Sequence, residues 1–195
     1  MGEPRDAATG AGYQARRSYH RRVLVRDAIP PDAEAVRRLL AGVYREGGAF
    51  VGDGPESAGS LAARIGVAPR RSHYAVAVMD GAIVGWSELQ RSPARRLEHV
   101  AVLTLAVAPH ARRGGVGRAL LHAGYEWCAR VGVLKMSLNV RAGNLAAVRL
   151  YESEGFEHEG RETGQIRLLG GEGDGFEDNL IMGKWFGAWG RAPGS

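Results

Sequence analysis

Residues 102–120 read Val-Leu-Thr-Leu-Ala-Val-Ala-Pro-His-Ala-Arg-Arg-Gly-Gly-Val-Gly-Arg-Ala-Leu. An apolar run stops near Pro109, a basic, glycine-rich turn follows, and a helical pattern begins. Strand, tight turn and helix start together constrain the fold. They require a helix that packs back on the sheet its strand belongs to, and they make a common anion site. The first N–H groups of a helix have no partner of their own. Gly115 and Gly117 carry no Cβ, so an anion is expected to come close to the main chain at both. Bulk placed at Gly117 should therefore cost anion binding and leave the fold intact.

Two familiar phosphate motifs do not fit. A P-loop needs a Gly-Lys-Ser/Thr step, and Arg118 follows Gly117. The dinucleotide fingerprint needs a third glycine three residues on, where Leu120 stands. What remains is Arg112-x-x-Gly115-x-Gly117.

The helix from about Gly115 to Val131 can be tested by angle. At about 100° per residue, Leu120, Leu121, Gly124, Trp127, Cys128 and Val131 share one face. Arg118, His122, Tyr125, Glu126 and Arg130 share the other. Cys128 is thus a small core residue. Leu134–Val140 reads as the next strand, completing a parallel strand–helix–strand crossover.

A second constellation follows. Asn144-Leu-Ala-Ala-Val-Arg-Leu-Tyr-Glu-Ser-Glu-Gly-Phe156 is a short helix with an Asn cap and Gly155 at its C-terminal stop. Taken together, Arg112-x-x-Gly115-x-Gly117 and Asn144-x-x-Ala147-x-x-Leu150-Tyr151-x-x-x-Gly155-Phe156 resemble the GNAT family of acetyl-CoA-dependent N-acetyltransferases. Order and separation match as well. The resemblance spans about Arg22 to Phe186. It implies an α/β fold with a mixed, mostly antiparallel central sheet flanked by helices.

The remaining pattern agrees. Arg22–Arg26 is a short strand, and Pro30-Pro31-Asp32 starts a helix, with Asp32 as its cap and Val36, Leu39, Leu40 and Val43 on one face. Gly47–Gly59 is a loop, and a short helix is expected around Ser60–Val67. Tyr74–Met79 and Ala82–Leu89 flank Asp80-Gly81, a strong hairpin signal. Phe156–Leu169 and Phe176–Trp185 read as antiparallel strands. The organisation is thus a basic N-terminal tail over 1–21, an acetyltransferase domain over 22–187 and a C-terminal tail over 188–195.

Charge bears on rival functions. The net charge is +5, and residues 1–22 hold five arginines against Glu3 and Asp6, so most of the excess lies in the tail and the body is nearly balanced. Nucleic-acid binding would have to use that tail, which has little aromatic interleaving, and is not expected. A single cysteine excludes an internal disulfide framework, and no apolar run reaches a membrane span. A cytoplasmic enzyme with no membrane partner is the expectation; a homodimer is left open.

The resemblance also assigns roles. The main chain from Arg112 through Arg113, Gly114, Gly115, Val116 and Gly117 to Arg118 would hold the pyrophosphate of acetyl-CoA, the guanidinium groups adding charge. Leu105, Ala106 and Val107 would pair their backbone with the pantetheine arm, with an N–H near Val107 as oxyanion donor. Asn144 would hydrogen-bond the same arm. Tyr151 would return a proton to the leaving thiolate. No metal is implied. No carboxylate lies between Val100 and Pro109, so the base is open among Glu98, His99, Glu88 and a water relay. The expected acceptor is a primary amine of a small molecule such as an amino acid, its carboxylate pairing with Arg91, Arg95, Arg96 or Arg141. A protein N-terminus or lysine is the alternative, and a non-catalytic CoA-binding module a more remote one.

Overall fold

The apolar runs become strands and the amphipathic stretches become helices in a computed structural model that describes residues 22–169 and 173–187. The readings of 1–21 and 188–195 as tails lie outside the described residues. In chain order the elements are β1 (Leu24–Asp27), α1 (Ala33–Glu46), α2 (Ala58–Arg64), β2 (Ser72–Met79), β3 (Ala82–Arg91), β4 (Val100–Val107), α3 (Val116–Val131), β5 (Lys135–Arg141), α4 (Leu145–Ser153), β6 (Glu157–Arg167) and β7 (Phe176–Trp185). The strands form a seven-stranded sheet ordered β1-β2-β3-β4-β5-β7-β6. Every pairing is antiparallel except β4 with β5.

Local chemistry explains the boundaries. Asp80 and Gly81 both take positive φ, 51° and 81°, the turn whose twist matches a two-residue hairpin. Asp32 departs from the expected capping role: its side chain makes no cap bond to α1. Its carboxylate instead accepts from the Ile29 N–H at 2.9 Å and pairs with Arg26 at 2.7 and 2.9 Å. The Arg26 hydrogen bond holds Asp32 below the usual carboxylate range. The second helix begins earlier than expected because Ser57 caps it, accepting from the Ser60 N–H at 3.1 Å.

The sheet has a core on each face. Trp86, Val76 and Leu61 pack under α1 and α2. Leu89, Leu103, Leu121, Met136, Leu138 and Tyr151 pack on the opposite face, under α3 and α4. The buried residues of α3 include Leu120, Leu121, Gly124, Trp127 and Cys128 of the face expected from the angular test, while Val131, at the helix end, is only partly buried. Tyr125 is an exception: it packs against that core, its ring edge-on to Phe186 at 5.5 Å, with Lys184 Nζ 4.4 Å from its centroid. Cys128 is fully buried, and burial pushes its thiol up to about 12, so it is a core residue and a poor nucleophile.

Candidate active site

β4 and β5 run parallel and pair only from Val100↔Lys135 to Val102↔Ser137. Beyond that the two central strands part, while β4 stays on β3 from Ala101↔Arg91 to Val107↔Gly85. The Ala108 N–H donates to Val84 C=O at 2.9 Å. By antiparallel alternation Thr104 and Ala106 direct their main chain at β3, and Leu105 and Val107 direct theirs into the gap. Of the three strand residues expected to meet the pantetheine arm, Leu105 and Val107 therefore face the gap. Ala106 is engaged by Trp86.

The loop below the gap is exposed from Arg112 to Gly115. Arg113 and Gly115 take positive φ, 61° and 80°. A Cβ on Gly115 would meet nothing within 4 Å, and one on Gly114 only Ala111 O at 3.5 Å. The first bond of α3 runs from Ala119 N to Gly115 O at 3.0 Å. The N–H groups of Val116, Gly117 and Arg118 precede it and point out of the helix start without partners among the described residues. A diphosphate fits this cradle.

Gly117 also has a packing neighbour: a Cβ there would lie 2.8 Å from Leu150 Cδ2 on α4, with Leu105 and Val107 behind it. Two of the three guanidinium groups are likewise turned to carboxylates. Arg112 grips Glu46 at 2.7 and 2.5 Å and donates Nε to Val107 O at 3.1 Å. Arg118 donates to Glu154 at 2.5 Å and to Ser153. Arg113 has no such partner among the described residues.

On the other side of the gap, Asn144 Oδ1 caps α4, accepting from the Ala147 N–H at 3.3 Å, which leaves its amide NH2 to donate elsewhere. Tyr151 shares the core with Leu103 of β4 and with Leu138 and Val140 of β5, and its ring lies 5.5 Å from Phe156. Burial pushes its hydroxyl up to about 12, so it is held protonated at neutral pH.

The face of β3 and β4 opposite α3 carries a groove of about 430 Å³ lined by Glu88, Gln90, Val102 and Thr104. A larger one, about 610 Å³, lies between α1 and the β2–β3 turn, away from the parted strands. Among the base candidates, Glu88 pairs in register with Thr104. Glu98 and His99 precede β4, about 20 Å along the strand from Leu105. His99 stacks on Trp185 at 5.8 Å, a structural contact. The expected carboxylate partners fare poorly. Arg91 donates to three carbonyls, of Glu98, Arg70 and Val131, at 2.7–3.2 Å. Arg141 is buried and pairs with Glu177 at 2.6 Å. Arg95 and Arg96 sit in the short turn before Glu98, at the wrong end of β4. Those engagements run between residues far apart in sequence, and no local signal announces them. The same holds for the Arg64–Glu88 pair described below.

A model of the GNAT acetyltransferase family matches residues 37–156. The chain belongs to that family. The parted strands and the loop fit the pantetheine arm and diphosphate of acetyl-CoA. The chain is 40% identical to the ribosomal protein bS18 alanine N-acetyltransferase of Escherichia coli over 86 residues, 44% of this chain and 55% of that protein. It is 35% identical to N-alpha-acetyltransferase RimI of Mycobacterium tuberculosis over 126 residues, 63% of this chain and 75% of that protein. The match thus spans about half the length of the Escherichia coli relative. An acetyltransferase of the GNAT family from Streptococcus pneumoniae superposes with a TM-score of 0.77 at 26% identity, covering 85% of this chain and all of that one. Among the described residues no helix is long and apolar enough to cross a membrane, and no group of three or more His, Cys, Asp or Glu could hold a metal.

Proposed function

We propose that the chain is an N-acetyltransferase that moves the acetyl group of acetyl-CoA to a primary amine, and that the amine belongs to a small molecule. The observation that carries this is the parting of β4 from β5 directly above the open loop at the start of α3. The gap exposes main-chain groups of Leu105 and Val107 to an extended arm, as an added strand would use them. The loop N–H groups bind the diphosphate and so fix the thioester in the gap. The Val107 N–H is placed to stabilise charge on the carbonyl oxygen. The neutral amine nitrogen forms a bond to the acetyl carbon as the carbon–sulfur bond breaks, the Tyr151 hydroxyl gives its proton to the departing thiolate, and the proton the nitrogen sheds leaves through water, which restores the hydroxyl.

The relatives' names favour a second reading, in which the acceptor is the α-amine of a protein N-terminus. One panel separates the two: small amines, amino acids, polyamines and N-terminal peptides, each followed by release of free CoA and by mass of the product. Acetylation of small amines supports the first reading, and acetylation confined to peptides the second. Tight acetyl-CoA binding with no CoA release for any amine sinks both.

A further inference from the structure

The groove on β3 and β4 holds an ion cluster that the cofactor site does not use. Arg64, from α2, places Nη1 2.7 Å from Glu88 Oε1 and 3.2 Å from the Tyr74 hydroxyl. Its guanidinium carbon lies 5.5 Å from the Tyr74 ring centre, and Nη2 also meets Glu56. Gln90 Nε2 donates to the same Glu88 Oε1. Glu88 Oε2 has one contact, Arg64 Nη2 at 3.5 Å, the outer limit of a hydrogen bond. One carboxylate oxygen is thus saturated and the other nearly free. The Glu88 side chain is only 16% exposed, so a charge brought to it meets little screening.

The balance of charge matters. Glu56 and Glu88 share Arg64 as their paired cation, and Arg91, which also lines the groove, is held at Nε and Nη1 by three carbonyls. Beside the carboxylates, Val102 on the central strand β4 is 49% exposed, an apolar floor where a sheet residue is ordinarily covered.

We propose that this groove takes the acceptor, that Glu88 Oε2 holds its ammonium group until the nitrogen gives a proton to water and attacks the acetyl carbon, and that the preferred acceptor is a cationic amine with an apolar stem and no carboxylate beside the nitrogen. Arg64 is the competing cation: it neutralises Glu88 in the free protein and weakens the hold on the amine. A carboxylate next to the nitrogen would meet Glu88 and Glu56 with like charge, and of the arginines at the groove Arg64 is already paired with both and Arg91 is held by carbonyls at Nε and Nη1. This reverses the amino-acid preference expected from the sequence, and it rests on the acetyltransferase reading.

The test uses the full chain, saturating acetyl-CoA and two matched pairs, tyramine against tyrosine and alaninamide against alanine. The carboxylate-free member of each pair should have about tenfold or higher kcat/KM. Glu88→Gln should raise KM for tyramine about tenfold with kcat nearly unchanged and acetyl-CoA affinity intact. Arg64→Gln should lower that KM several-fold. Opposite signs are the telling readout, since two merely structural residues would both impair the enzyme. Equal or better use of tyrosine and alanine, or a rise in KM in both variants, would overturn the proposal. Calorimetric titration of tyramine into the CoA complex reads the groove without turnover. Binding that Glu88→Gln weakens supports the proposal and binding it leaves alone refutes it. Tyramine binding without any CoA release instead refutes the acetyltransferase reading.

Discussion

Leu150 Cδ2 on α4 stands 2.8 Å from the place a Cβ on Gly117 would occupy. The contact seats α4 on the first turn of α3, and so fixes Tyr151 and Asn144, at the two ends of α4, relative to the loop. Alanine in place of glycine within a helix gains up to about 1 kcal/mol, but overpacking costs about 1–3 kcal/mol. Gly117→Ala should therefore be a net loss of about 1 kcal/mol by urea denaturation. Truncating Leu150 as well should remove the clash, so the two substitutions should be non-additive. A more stable Gly117→Ala protein would show that the space is spare.

Tyr151→Phe should lower kcat about 10²-fold or more while leaving acetyl-CoA affinity unchanged, because a proton donor acts in the transition state. Steady-state rates beside calorimetry check it, and a near-normal kcat removes Tyr151 from the chemistry. The same residue leaves a mark on stability. Its hydroxyl rises from an ordinary value near 10 to about 12 through burial. Between those values the unfolded chain has lost the proton and the folded one keeps it, so stability falls as pH climbs from 10 to 12, by about 3 kcal/mol in full. The phenylalanine variant should show a shallower alkaline limb, with Cys128 still contributing from about pH 9.

Glu46 holds the Arg112 guanidinium by two hydrogen bonds, at the junction of α1 and the loop that precedes α2. Both side chains are about two-fifths exposed, so the pair is worth less than about 1 kcal/mol to the fold. Glu46→Gln should leave the melting temperature almost unmoved. It should tighten acetyl-CoA several-fold at low salt by freeing the guanidinium for phosphate. Identical affinity at low and high salt in both proteins would confine Arg112 to a structural role.

His73 is buried between Asp27, at 3.0 Å, and the face of Trp127. Burial lowers its pKa despite the carboxylate. The unfolded chain then binds a proton first, near pH 6.5, and stability declines as pH falls below that value through the lower folded one. Replacing His73 by Gln should flatten the slope of unfolding free energy between pH 6.5 and 5. An unchanged slope would assign it to other groups.

Sequence patterns on a single element were legible. Asp80-Gly81 carries its turn in two residues, and α3 carries its buried face in a spacing of three and four. The crossover was readable for the same reason. What the sequence hid lies between elements. Gly117 gives no sign of Leu150, 33 positions later, whose side chain packs beside it. Arg91 and Arg141 look like substrate ligands because carbonyls and Glu177 reach them only through the tertiary fold. Tyr125 reads as a surface residue because the angular test knows nothing of Phe186 and Lys184. Glu88 gains its Arg64 partner from a helix whose sequence is nearly featureless.

The position of β7 has a consequence for synthesis. It follows every other strand in the chain yet lies between β5 and β6. Until Phe176–Trp185 leaves the ribosome, β6 has no neighbour to pair with, and β5 has one for only three residues. The nascent chain therefore carries a nearly bare strand edge beside its finished hairpins, an arrangement prone to pairing with other chains. A message broken before residue 176 would remove one strand, strand a second and leave a third open to aggregation, with the glycine loop already translated.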